Sequence, residues 1–168
     1  MAEVLAAILG ALLAGGFQTV VSIFDRRRED EAILLAIASE VDALCKLTRL
    51  QNYLGEARRI REELVRDPNI SYVYLVDLRS DYFSVYHSLS SNLGRLRAAN
   101  ASKIVRFYSI RKTIIDCTRP DGIAAHPIPN SNAQEAFDLI VQLLVEFLAL
   151  GDSIVRMPRE SFLDLSDT

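Results

Sequence analysis

The sequence predicts an all-α fold: one N-terminal transmembrane helix followed by a cytosolic bundle of about four to five helices. Three observations predict it. Residues 4–24 form an uncharged run of mostly Leu, Ile, Val, Ala, Gly and Phe, closed by Asp25-Arg26-Arg27-Arg28. Downstream, apolar residues recur at the three- and four-residue spacing of helical faces. The single β-rich stretch, 70–77, has no second such stretch to pair with. With 168 residues and a net charge of −3, the chain holds an anchor and one ordinary domain. The expected division is 1–25 anchor, 26–157 helical bundle and 158–168 flexible tail.

The anchor comes first. At about 1.5 Å per helical residue the run 4–24 reaches about 30 Å, the thickness of a bilayer's hydrocarbon core. A cleaved signal peptide would carry its basic residues before a shorter apolar stretch; here the charge before the run is Glu3 and the arginines follow it. Basic flanks stay cytoplasmic, so Arg26, Arg27 and Arg28 act as the topology anchor and put the N-terminus outside. At about 100° per residue, Ala7, Ala11, Ala14, Gly15, Gln18 and Ser22 share one stripe, opposite a face of Leu, Val and Phe. Small residues allow close helix approach in lipid, and the Gln18 amide needs hydrogen-bond partners at depth. The stripe therefore predicts packing of the span against a second copy.

No Gly or Pro interrupts 18–54, so the anchor is expected to run on as one helix. Ile33, Ile37, Val41, Leu44 and Thr48 make its buried face. A short charged helix is expected over 56–66, ended by Asp67-Pro68-Asn69. Residues 70–77 read as an extended connector or a helix start. A helix over 81–93 places Tyr82, Tyr86, Leu89 and Leu93 on one side, with Gly94 as its stop. Another follows over 98–117, then a turn at Arg119-Pro120-Asp121-Gly122. The last helix, 132–157, is apolar enough to raise the question of a second span. Asp138, Glu146 and Asp152 each cost about 2.5 kcal/mol or more near a bilayer centre. It is read instead as the central helix of the bundle.

Chemistry is sparse. Cys45 and Cys117 lack metal-ligand spacing, and no catalytic, zinc or phosphate-loop motif is present. The chain is read as a non-enzyme with no metal and no cofactor. Its partners are expected to be membrane lipid and a second copy of itself. Between Tyr82 and Ile115 there is no acidic residue, while Arg95, Arg97, Lys103, Arg106 and Arg111 are basic. Two readings stay open: a face that packs beside the acid-rich last helix, or an anion site for a nucleotide, RNA or lipid head group. Arg111 falls among Ile104, Phe107, Tyr108, Ile114 and Ile115. A buried Arg must be paired, and Asp77, Asp81 and Glu40 are the candidate carboxylates.

Arg119 and His126 fit the loose Arg-to-His spacing of the HEPN ribonuclease superfamily, which the chain resembles at those two residues. That resemblance implies a helical bundle whose dimers place the pair around scissile RNA. The chain departs from it in spanning Pro120, Gly122 and Pro127 where the family holds its His on or beside a helix. The segments Asn92-Leu93-Gly94-Arg95-Leu96 and Lys103-Ile104-Val105-Arg106-Phe107-Tyr108 resemble a segment of uncharacterised bacterial single-span membrane proteins. In layout the chain is similar to small membrane-anchored antiphage effectors, which implies the bacterial cytoplasmic membrane and coupling of a cytosolic signal to membrane assembly or permeabilisation. A membrane-tethered ribonuclease and a non-signalling scaffold are the alternatives.

Overall fold

The computed structural model describes residues 2–77, 84–127 and 132–163, with side chains described at 21–22, 24–77, 84–127 and 132–158. All regular structure among them is helical. The elements are α1 (Ala2–Leu50), α2 (Tyr53–Arg66), α3 (Ser84–Leu89), a 3-10 helix (Ser90–Arg95), α4 (Ala98–Thr118) and α5 (Ala133–Leu163). The chain is therefore all-α, and its helices pack as a bundle. Among the described residues no helix is long and apolar enough to cross a membrane. The side chains of Ala7, Ala11, Ala14, Gly15 and Gln18, on which the anchor and its packing stripe were expected, lie outside the described residues.

α1 is unbroken, as the lack of Gly and Pro over 18–54 predicts. Val21, Ser22 and Phe24 to Glu29 are exposed, whereas Ile33, Ile37, Val41, Leu44 and Thr48 are all buried. Over the described side chains the helix is thus exposed up to Glu29 and enters the core from Ile33 onward. Asn52, in the left-handed region at φ 51°, turns the chain into α2; Asn tolerates that region better than most residues. Its side chain lies so close to Gly55 that a Cβ there would approach Asn52 Oδ1 to 2.3 Å.

α5 is the central helix, packed against α1, α2 and α4. Phe137, Ile140, Leu144, Phe147 and Ile154 are buried along it at helical spacing. Phe147 stacks on Phe107 of α4 with ring centres 4.4 Å apart, and Tyr72 and Tyr74 meet Phe137 edge-on at 5.1 and 5.4 Å. Such aromatic pairs contribute about 0.5–1.5 kcal/mol each beyond the area they bury. Gly151 lies in the same buried row, between Phe147 and Ile154. A Cβ there would lie 2.2 Å from Cys45 Sγ and 3.1 Å from Phe107, so α1 and α5 cross closely at this point.

Three acids of α5, Asp138, Glu146 and Asp152, are each answered by an arginine from a different neighbour. Arg61 of α2 bonds Asp138, Arg106 of α4 bonds Glu146, and both Asp152 oxygens accept from Arg49 of α1 at 2.8 Å. Exposed pairs of this kind contribute about 0–1 kcal/mol each. Their distribution around α5 fixes its rotation more than its stability.

Several boundaries differ from expectation. The helix expected over 81–93 is a short α3 that tightens into a 3-10 helix ending at Arg95, and no glycine among the described residues has positive φ, so Gly94 is not a left-handed stop. Tyr82 and Asp81 lie outside the described residues. α2 begins earlier than Glu56, at Tyr53. α5 continues past Met157 with Pro158 inside it, where the ring leaves the Ile154 carbonyl without its amide.

Candidate functional site

Besides the Arg49–Asp152 pair, two polar junctions join α1 to the rest of the bundle. The inner one centres on Glu40, an acid on the otherwise apolar face of α1 and only 9% exposed. Its Oε2 accepts the Val85 amide at 2.9 Å, and its Oε1 accepts the Tyr86 amide at 3.2 Å and the Tyr108 hydroxyl at 2.5 Å. The Tyr86 ring stacks on Tyr108 with centres 3.7 Å apart. One carboxylate therefore caps the start of α3 and clamps α4 to α1. Arg111, one helical turn beyond Tyr108, is half-buried here. Burial brings its guanidinium down to about 10, against the stabilising fields of Tyr108 and Glu40. Burial, with the bond to Glu40, raises the Tyr108 phenol well above its ordinary range. Of the three carboxylates the sequence offered Arg111, Glu40 raises its pKa through its field, and Asp81 lies outside the described residues.

The outer junction is an open cleft of about 650 Å³ lined by Ser22, Asp25, Arg26, Glu29, Asp30 and Arg95. Arg95 reaches from the 3-10 helix to Glu29 at 2.5 Å and to Asp30 at 3.3 Å. Hydrogen bonding to Glu29 raises its pKa. Acids outnumber arginines in the lining, so the cleft does not offer a positive surface. Arg26, Arg27 and Arg28 are exposed along α1 beside it.

The basic candidates are thus divided. Arg95 is held by α1, Arg106 is held by Glu146 of α5 at 2.5 Å, and Arg111 lies in the Glu40 junction. Arg97 and Lys103 are exposed on the first turns of α4. The partners Glu29 and Asp30 were invisible beforehand because they lie far from Arg95 in sequence. A buried-face acid, Glu40 beside Ile37 and Val41, was the readable signal. Arg119 and His126 sit on the exposed turn after α4. Arg119 lies 3.5 Å from Asp121, and the His126 carbonyl accepts from the Tyr72 hydroxyl at 3.4 Å. Among the described residues no group of three His, Cys, Asp or Glu could hold a metal ion.

Cys45 is buried against Gly151, and burial pushes its thiol up to about 12. Such a thiol is inert. Cys117 is half-buried and raised by burial as well. No protein-family model matches the chain, and neither a curated protein nor a solved structure matches it.

Proposed function

We propose that this chain is a single-pass membrane-anchored helical interaction protein of the bacterial cytoplasmic membrane. Its N-terminus lies outside, its bundle lies in the cytosol, and its spans associate along Ala7, Ala11, Ala14, Gly15, Gln18 and Ser22. The observation that carries the reading is the continuity of α1. One helix, Ala2–Leu50, bears the uncharged run and the arginine cluster in its first half and contributes Ile37, Val41 and Leu44 to the core in its second. A rigid helix transmits rotation and translation between its ends. Any partner or ligand that shifts the bundle about the Glu40 junction therefore shifts the membrane end too. Membrane assembly or permeabilisation triggered from the cytosolic side is the output this layout supports.

Topology tests it directly. Alkaline phosphatase fused after Thr168 is expected to be inactive and a cytosol-active reporter at the same site active. The chain is expected in the membrane fraction after alkaline wash. Phosphatase activity, or release by the wash, overturns the reading. Ala11→Ile with Gly15→Ile is expected to weaken assembly in detergent while leaving the chain in the membrane fraction.

A further inference from the structure

The outer cleft carries charge of both signs, and the ion pairs across it use only part of that charge. Its lining holds three carboxylates, Asp25, Glu29 and Asp30, and two guanidiniums, Arg26 and Arg95. Arg95 reaches across to Glu29 and Asp30 and joins the two walls. Among the described residues Asp25 and Arg26 enter no ion pair, and both are exposed. Asp25 and Glu29 stand one turn apart on the same row of α1, with Arg26 between them in sequence. The cleft of about 650 Å³ falls within the range of small-ligand sites, about 300–1,000 Å³.

A lone anion in this cleft would meet three carboxylates, and a lone cation would meet two guanidiniums. A ligand that carries both charges a short distance apart is matched by Arg26 and by the acids on either side of it. The level of the cleft along α1 narrows the ligand further, and this step rests on the membrane-anchored reading. The uncharged run ends at Phe24, and Asp25 to Asp30 stand about 1.5 to 9 Å beyond it along the helix. The head-group layer on each side of a bilayer is about 5–8 Å deep, so the cleft opens within it. A quaternary ammonium has no N–H and is recognised by aromatic faces; among the described residues that line the cleft there is no aromatic one. A primary ammonium donates hydrogen bonds as Lys does, and the lining has one carboxylate more than it has guanidiniums to accept them. We propose that the cleft binds the phosphoethanolamine head group of a membrane lipid, with Arg26 on the phosphate and the ammonium between Asp25 and Glu29. Pairing of a guanidinium with phosphate is charge-assisted and can be bidentate. Glu29 keeps acceptor sites for the ammonium beside its bond to Arg95.

Thermal unfolding of the full-length chain in mild detergent, followed by far-UV circular dichroism, tests the site. Phosphatidylethanolamine at about a hundredfold excess over Kd is expected to raise Tm by about 5–10 °C. Phosphatidylcholine and phosphatidylglycerol at the same mole fraction are expected to give no such rise. Arg26→Ala and Asp25→Asn break no ion pair within the described residues, so each is expected to melt as wild type does without lipid and to lose most of the rise. Lys103→Ala, which removes a cation outside the cleft, should keep it. No rise, equal rises with all three lipids, or a rise that survives both cleft substitutions overturns the site. Glycerophosphoethanolamine, the same head group without acyl chains, separates the two sources: a rise with it and none with the lipid overturns the lipid as ligand. Alkaline wash of the same membranes reads the anchor independently. A chain that stays in the membrane fraction without a lipid-specific rise loses this site and keeps its anchor, whereas a chain released by the wash loses the anchor and the lipid ligand together.

Discussion

Replacing Glu40 by Ala removes one acceptor from three donors on two elements. Hydrogen bonds to a charged group contribute about 1.5–3 kcal/mol each when dry. Val85 and Tyr86 are half-buried, so water reaches their freed amides and the loss there falls to about 1 kcal/mol apiece. Tyr108 is 7% exposed and loses its bond to Glu40, which adds about 1–3 kcal/mol. The Arg111 guanidinium also loses a stabilising field. A total of about 3–5 kcal/mol is expected, a large share of a typical domain's stability. Glu40→Gln keeps the oxygen shared by Tyr86 and Tyr108 but turns an amide group toward Val85, so it should lie between wild type and Ala. Guanidinium unfolding of the full chain in mild detergent, followed by far-UV circular dichroism, measures both. Removing the Tyr108 donor sharpens the test: with Tyr108→Phe present, Glu40→Ala should cost about 1–3 kcal/mol less than alone. A Glu40→Ala loss under about 1 kcal/mol, or no coupling to Tyr108, would refute the clamp.

Gly151→Ala should destabilise by about 1–3 kcal/mol through the clash with Cys45 Sγ, partly offset by helix propensity, and Cys45→Ala should relieve it in a double-mutant cycle. Phe147→Ala, opening the stack on Phe107, should cost about 3–5 kcal/mol by the same unfolding assay. The buried thiol holds its proton to about 12 against an ordinary value of 9.0, so the folded chain keeps a proton the unfolded chain loses. Cys45 thus contributes stability that is full below pH 9 and falls as pH rises toward 12, with a limiting slope of about 1.4 kcal/mol per pH unit; Cys45→Ala should flatten that part of the profile. A thiol reagent at pH 8 should label Cys117 at least about tenfold faster than Cys45, and equal rates would mean the core opens at α1.

The all-helical architecture was legible because it depends on local information. The spacing of Ile33, Ile37, Val41, Leu44 and Thr48 marks one helical face, and all five are buried. The acids Asp138, Glu146 and Asp152 marked α5 as something other than a span, and each meets an arginine from a neighbouring helix. The β-branched and aromatic content of residues 70–77 left an extended connector and a helix start both open, and the structure shows no helix there. The sidedness of that segment was not legible, because which face is buried depends on Phe137 and Ala125, remote in sequence.

By itself, then, the sequence determined the helices, the continuity of α1 and the burial pattern along it, since backbone preference and hydrophobic period act over a few residues. Tertiary structure alone decided which charges meet. The sequence leaves Arg95, Arg97, Lys103, Arg106 and Arg111 open as either an anion surface or a structural face, and in the fold Arg95 is bound to Glu29, Arg106 to Glu146, and Arg111 faces the Glu40 junction. Tertiary structure also decided that Gly151 must be small, because only the crossing of α1 over α5 brings Cys45 there. The physical reason is the same in each case: ion pairing and close packing act through space over a few ångströms, and chain folding brings together residues that sequence spacing leaves far apart.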